Sequence, residues 1–151
     1  MIFRANEITI IIPEDIMCEL NRYYIGNEKE VGGILLGRFA GGIIYEVTET
    51  ACINSLHSTR IHYRRDVKKA QSIINKRWRE TNGEINYLGE WHTHPNMFAT
   101  PSATDMESLS AIMDKVGNVL PVVMLLILGR NNKTSLNVRK ENVNYACIFD
   151  R

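Results

Sequence analysis

Little in this chain could hold it together covalently. Its 151 residues include only three cysteines, Cys18, Cys52 and Cys147, odd in number and far apart. A disulfide framework or a thiolate zinc site needs cysteines at short spacing, so both are excluded. Free thiols instead point to a reducing cytosol and a cytoplasmic protein. The prolines and glycines are scattered, with no repeat, linker or low-complexity block. The most apolar run, Leu120 to Leu128, has nine residues, against the roughly 20 that a membrane-spanning helix needs. The opening MIFRANEITI lacks the apolar core and small-residue cleavage site of a signal peptide. Charge of one sign is missing too: 18 Lys+Arg stand against 17 Asp+Glu, a net +1. No general attraction to nucleic acid or to an anionic membrane is expected.

What remains is an ordinary globular composition, 44% hydrophobic and 23% charged, at the size of one domain spanning residues 1–151. At this length folding buries about two-thirds of the chain's surface, enough for a core without staples. Ile8 to Ile12 is β-branched and reads as a strand. Pro13, Glu14 and Asp15 suit the start of a helix carrying Ile16, Leu20, Tyr23 and Tyr24, with Gly26-Asn27 as its stop. Val31 to Phe39, then Gly41-Gly42, then Ile43 to Thr48 reads as a hairpin. Residues 53–65 look irregular. The spacing of Val67, Ala70, Ile73, Ile74 and Trp78 predicts a helix over 66–81 with that stripe, Trp78 included, in the core. Strands are predicted from Ile85 to His94, at Leu120–Leu128 (apolar on both faces, hence central), at Thr134–Arg139 and, as a single last strand, at Tyr145–Phe149. A helix from about Thr100–Ser102 to Val116 lies between the first two. The pattern fits an α/β (α+β) domain, a curved mixed sheet flanked by helices.

The informative stretch is Gly89-Glu-Trp-His-Thr-His-Pro95. Side chains alternate along a strand, so His92 and His94 share a face and can converge on one ion, while Trp91 points the other way into the core. Asp105 follows eleven residues after His94, in Ser102-Ala-Thr-Asp105. Two imidazole nitrogens and a carboxylate oxygen suit Zn²⁺ and leave a fourth position for water, as in catalytic sites. Ligands of this kind also accept other divalent ions. Each motif has a plainer reading. An H-x-H pair can be structural, and Ser-x-x-Asp after a proline is close to a helix capping box. Hydrolysis further needs a carboxylate to carry a proton. Glu30, Glu90 and Glu28 are the candidates, and residue chemistry alone leaves the choice open.

Glu30-Val-Gly-Gly-Ile-Leu-Leu-Gly37, then His92-Thr-His94-Pro, then Ser102-x-x-Asp105 resembles the JAMM signature of the MPN-domain metalloproteases. All its parts stand in order, and the resemblance covers nearly the whole chain. It implies a single MPN (JAB/JAMM, cytidine deaminase-like) domain. It implies one zinc ion held by His92, His94 and Asp105, Glu30 as the acid/base residue, and a Ser102 hydroxyl that stabilises the tetrahedral intermediate. Glu90 is then left to orient a histidine. The implied reaction is hydrolysis after the C-terminal glycine of a ubiquitin-like modifier, whose tail would pair as an added strand. With no Cys-rich insert, the chain is similar to free-standing bacterial members, including those encoded beside activating and conjugating-like enzymes and a nucleotidyltransferase in antiviral CBASS operons. Competing expectations are a metal-free MPN interaction scaffold and a metal-dependent small-amide hydrolase.

Other features carry less. The basic run Arg60, Arg64, Arg65, Lys68, Lys69, Lys76, Arg77 and Arg79 reads as a solvated face before it reads as a partner surface. His57 and His62 read as surface histidines. Met97 and Phe98 either contact substrate near the metal or tuck inward.

Overall fold

The computed structural model describes residues 1–53 and 65–150. Two short strands open the chain, β1 (Ile2–Ala5) and β2 (Ile8–Ile11), followed by α1 (Glu14–Tyr24). The hairpin β3 (Gly32–Phe39) and β4 (Ile44–Cys52) comes next, then α2 (Val67–Glu80), β5 (Asn86–Thr93) and α3 (Ala103–Val116). The chain ends with β6 (Val122–Gly129), β7 (Lys133–Lys140), β8 (Val143–Ala146) and β9 (Ile148–Asp150). All nine strands form one mixed sheet in the order β8-β7-β6-β5-β3-β4-β2-β1-β9. Pairs β2–β4 and β5–β6 are parallel and the rest antiparallel.

Helices cover both faces of this sheet. Ile16, Met17 and Leu20 of α1 pack on one face, with Trp91, Val47, Met124, Leu126 and Leu128. Ala70 of α2 and Leu109 and Met113 of α3 pack on the other, with Ile34, Leu36, Val123, Leu125 and Ile127. β6 thus gives alternate residues to the two cores and is buried throughout, as its unbroken apolar run predicts. Gly33 permits the close β3–β4 approach beside Trp91: a Cβ there would lie 1.8 Å from the Ala51 carbonyl oxygen. No helix among the described residues is long and apolar enough to cross a membrane.

Three local expectations are corrected. Trp78 is 48% exposed and Val67 is exposed as well. The Trp78 ring lies over Gly83, where the chain turns back at the helix end, so it covers a turn rather than filling the core. β1 adds a strand ahead of the one read at Ile8, made possible by the left-handed backbone of Asn6. The single strand read at 145–149 is broken at Cys147: β8 pairs with β7 and β9 pairs with β1 at the opposite end of the sheet order. His57, His62, Arg60 and Arg64 lie outside the described residues. Among the other basic residues, Arg77 pairs with Glu49 and Glu80, and Lys76 with Glu80.

The thiols differ in setting. Cys18 is exposed. Burial pushes Cys147 up to about 12 and raises Cys52 as well. Because the thiolate is the reacting form, iodoacetamide at pH 8 is expected to label Cys18 in the native protein well before Cys52 or Cys147. Peptide mass spectrometry checks this order, and unfolding should abolish it.

Candidate metal centre

β5 is flanked by β3 and β6, with Gly32 opposite His92 on one side and Ile127 on the other. Its pleat sends His92 to one face, and His94, just past the strand end, follows it. Both imidazoles are buried, and their Nε2 atoms lie 3.1 Å apart. The His94 Nδ1 meets the Phe98 carbonyl at 3.1 Å. A carbonyl only accepts, so Nδ1 carries a proton, and a ligand would be bound through Nε2 once that nitrogen has given up its own proton.

Asp105 arrives from the head of α3. The loop before that helix is tied down by backbone bonds from His94 N–H to the Leu128 carbonyl and from Arg130 N–H to the Met97 carbonyl. The Ser135 hydroxyl also donates to the Ala99 carbonyl. Ser102 then caps the helix. Its Oγ accepts from the Asp105 N–H at 3.1 Å, and its own N–H donates to Asp105 Oδ2 at 2.7 Å. The capping box and the ligand position are therefore one arrangement, not alternatives. Asp105 Oδ1 lies 3.2 Å from His92 Nε2, and Oδ2 lies 3.4 Å from His94 Nε2.

These separations test whether a metal fits. Tetrahedral zinc with ligands at 2.0–2.1 Å sets its donor atoms about 3.3 Å apart. The two imidazole nitrogens, 3.1 Å apart, fit that spacing, and each has an Asp105 oxygen at a similar distance, Oδ1 at 3.2 Å from His92 and Oδ2 at 3.4 Å from His94. His92, His94 and Asp105 thus form a group able to hold a metal ion. Burial alone would raise the Asp105 carboxyl, but hydrogen bonds from both histidines and from Ser102 N–H hold it well below the usual carboxylate range. It is an anion ready for a cation.

Glu30 lies immediately before β3, is 5% exposed, and has Oε1 3.9 Å from His94 Nε2. Thr93 brings it there. Its N–H donates to the Val31 carbonyl at 2.8 Å and its Oγ1 accepts from Val31 N–H at 3.0 Å. Sequence reasoning missed Thr93, whose only signal is a polar residue between two histidines on a buried strand. Among the described residues, no hydrogen bond joins Glu90 to a histidine. Its Oε1 accepts from the Tyr87 hydroxyl at 2.9 Å and from Arg65 Nη1. Burial raises its carboxyl, opposed by Arg65 and Tyr87. Glu28 is exposed. Met97 and Phe98 are also exposed, with the Arg130 guanidinium over the Phe98 ring at 3.8 Å. Both edges of β5 are taken, so among the described residues an added strand finds no edge at His92.

Residues 24–140 match the family of prokaryotic homologs of the JAB domain. The chain belongs to this family. Its relatives include a CD-NTase/cGAS isopeptidase of Escherichia coli, 32% identical over 124 residues, 78% of this chain and 75% of that protein. A protein of the same name from Pseudomonas aeruginosa is 33% identical over 107 residues, 70% of this chain and 66% of that one, so a third of its length is unmatched. The probable metalloprotease y4qB of Sinorhizobium fredii is 29% identical over 131 residues, covering 82% and 78%. The solution structure of protein DSY2949 from Desulfitobacterium hafniense has a TM-score of 0.69 at 22% identity, over 91% of this chain and 88% of that one. That likeness shows the shared JAB fold alone.

Two substitutions check how the centre is held. Thr93→Val keeps the shape and strands the Val31 N–H, at a cost of about 1–3 kcal/mol. Ser102→Ala removes the Oγ half of the cap, at about 1 kcal/mol, while the backbone N–H at 102 still holds Asp105 Oδ2. Urea unfolding reads both costs. Because that backbone bond survives, metal titration should show Ser102→Ala binding within about threefold of wild type, whereas Asp105→Ala should lose binding.

Proposed function

We propose that the protein is a zinc-dependent isopeptidase of the JAB family. It hydrolyses the bond after the C-terminal glycine of a ubiquitin-like modifier, or of a protein conjugated in that manner. The observation that carries this reading is the gathering of His92, His94 and Asp105, with ligand atoms within 4.8 Å of one another, and the buried Glu30 carboxylate 3.9 Å from His94 Nε2. The isopeptidase and metalloprotease names of the relatives support it. The CD-NTase/cGAS isopeptidase name favours a conjugated nucleotidyltransferase as substrate; activating and conjugating-like enzymes encoded nearby in an antiviral operon are part of this proposal. The three free cysteines suit a cytoplasmic setting.

His92, His94 and Asp105 would hold the zinc, which when bound supplies a polarised carbonyl and an activated water near neutral pH. Glu30 takes the water's proton at Oε1 and later gives it to the departing lysine amine as the carbon–nitrogen bond breaks. The Ser102 oxygen already accepts from Asp105 N–H, so its hydroxyl proton is free to be donated. Donated to the developing oxyanion, it supplies a stabilisation of roughly 3 kcal/mol. Burial of Glu30 keeps bulk water from competing for its proton.

The test has three readings. Zinc-supplemented protein should carry about one equivalent by elemental analysis and should melt about 5 °C or more above chelator-treated protein. It should release the reporter from a ubiquitin–reporter fusion or from a fusion of the neighbouring nucleotidyltransferase to a reporter. Glu30→Gln should keep the metal and lose at least about a hundredfold in kcat. Less than a tenth of an equivalent of bound metal would point to the interaction scaffold. Cleavage of a small amide with neither fusion cut would point to the other hydrolase. A Glu90→Gln protein that alone lost turnover would move the base away from Glu30.

A further inference from the structure

Three successive carbonyls in the loop after His94 each accept a hydrogen bond, and each from a different place. The Met97 carbonyl accepts from the Arg130 N–H at 2.7 Å. The Ala99 carbonyl accepts from the Ser135 hydroxyl on β7. Between them, the Phe98 carbonyl meets His94 Nδ1 at 3.1 Å. The peptide unit joining Phe98 to Ala99 is thus the one that touches a member of the metal group. Gly129, the last residue of β6, lies against it. A Cβ on Gly129 would stand 2.3 Å from the Ala99 nitrogen and 2.8 Å from the Phe98 carbonyl carbon. Gly129 has extended backbone, so close approach, not an unusual conformation, is what calls for glycine there.

Side-chain burial does little to hold this loop. Met97 and Phe98 are exposed, and of the three only Ala99 is buried. The Arg130 guanidinium lies over the Phe98 ring, but a side-chain contact does not fix the plane of the peptide that follows. The flanking carbonyl bonds and the contact with Gly129 fix it. The two histidines differ in their need for this support. His92 stands inside β5, between β3 and β6, whereas His94 lies past the end of the strand. A bond to the far ring nitrogen is the means by which such an imidazole is held in one orientation.

We propose that Ser135 is a positioning residue of the metal centre and that Gly129 is the floor it works against. Ser135 holds the Ala99 carbonyl, and Gly129 admits the Phe98–Ala99 peptide close to β6. The Phe98 carbonyl is thereby aimed at His94 Nδ1, and the ring is turned with Nε2 toward His92 and Asp105. Ser135 acts through two backbone groups and touches none of the three donor atoms. The inference rests on the metal-centre reading and assigns one ligand the residue that orients it.

The experiment uses the full chain, stripped with a chelator and titrated with zinc and, separately, with cobalt(II), whose visible absorption reports the geometry of its ligands. Ser135→Ala is expected to weaken zinc binding about tenfold or more and to change the shape of the cobalt bands. Its metal-free form should melt within about 4 °C of wild type. Ser135→Thr, which keeps the hydroxyl, should bind zinc within about threefold of wild type. Gly129→Ala should weaken binding at least as much as Ser135→Ala, and the two Ser135 variants decide the matter should that methyl prevent folding. Zinc binding by Ser135→Ala within about threefold of wild type, with unchanged cobalt bands, would overturn the proposal. A hydrogen bond that served stability alone would give that result together with a lower melting temperature of the metal-free protein. Equal losses in Ser135→Ala and Ser135→Thr would overturn it too, because the hydroxyl would then not be the group that matters. A wild-type protein that took up neither metal would instead strike the metal-centre reading itself.

Discussion

The reciprocal hydrogen bonds between Ser102 and Asp105 are the constraint on which the centre rests. They end the loop after His94, begin α3, and aim one carboxylate at two imidazoles. The helix N-terminus is itself partly positive and favours an anion at that position. A residue that any helix could use as a cap therefore becomes the third donor. Its placement depends on backbone bonding rather than on a long, mobile side chain. Anchoring of the preceding loop to β6 and β7 extends the same rigidity outward, which a metal group with sub-ångström tolerance requires.

The position of the centre follows from the sheet. β5 and β6 are parallel neighbours joined through α3, and the donors gather where β5 ends and α3 begins. That is the crevice outside the carboxyl ends of the strands, where backbone groups have finished pairing and side chains are free to act. The opposite face of the same strand carries Trp91, fully buried and stacked obliquely near Tyr23. One strand thus supplies a hydrophobic anchor and a polar group by simple alternation.

What was legible in the chain was whatever depends on near neighbours. The alternation at His92 and His94, the doubly buried run of β6, the hairpin at Gly41-Gly42 and the two later helices all have local periods. The choice between Glu30 and Glu90 does not. Glu90 shares the histidines' face, but it lies about 7 Å further back along the strand and meets Arg65 and Tyr87 instead. Glu30 is sixty residues away in sequence, and the pairing of Gly32 with His92 brings it close. A register of that kind has no local signature, and only the family resemblance pointed to it. Trp78 misled for the converse reason: its helical spacing is right, but the helix presents that position to a turn instead of to the sheet. The break at Cys147 was hidden because five consecutive strand-like residues carry no sign of which neighbours they will find.

That break has a mechanical consequence. β8 and β9 are separated by one residue in the chain, yet they close opposite margins of a nine-stranded wall. The Cys147 N–H is pinned to the Leu136 carbonyl at 2.8 Å, so the wall curls until its two margins meet at a seam. Fraying of either margin pulls on the other through a single peptide unit. The two margins, which share no ladder of their own, are thereby tied to each other by one residue of chain.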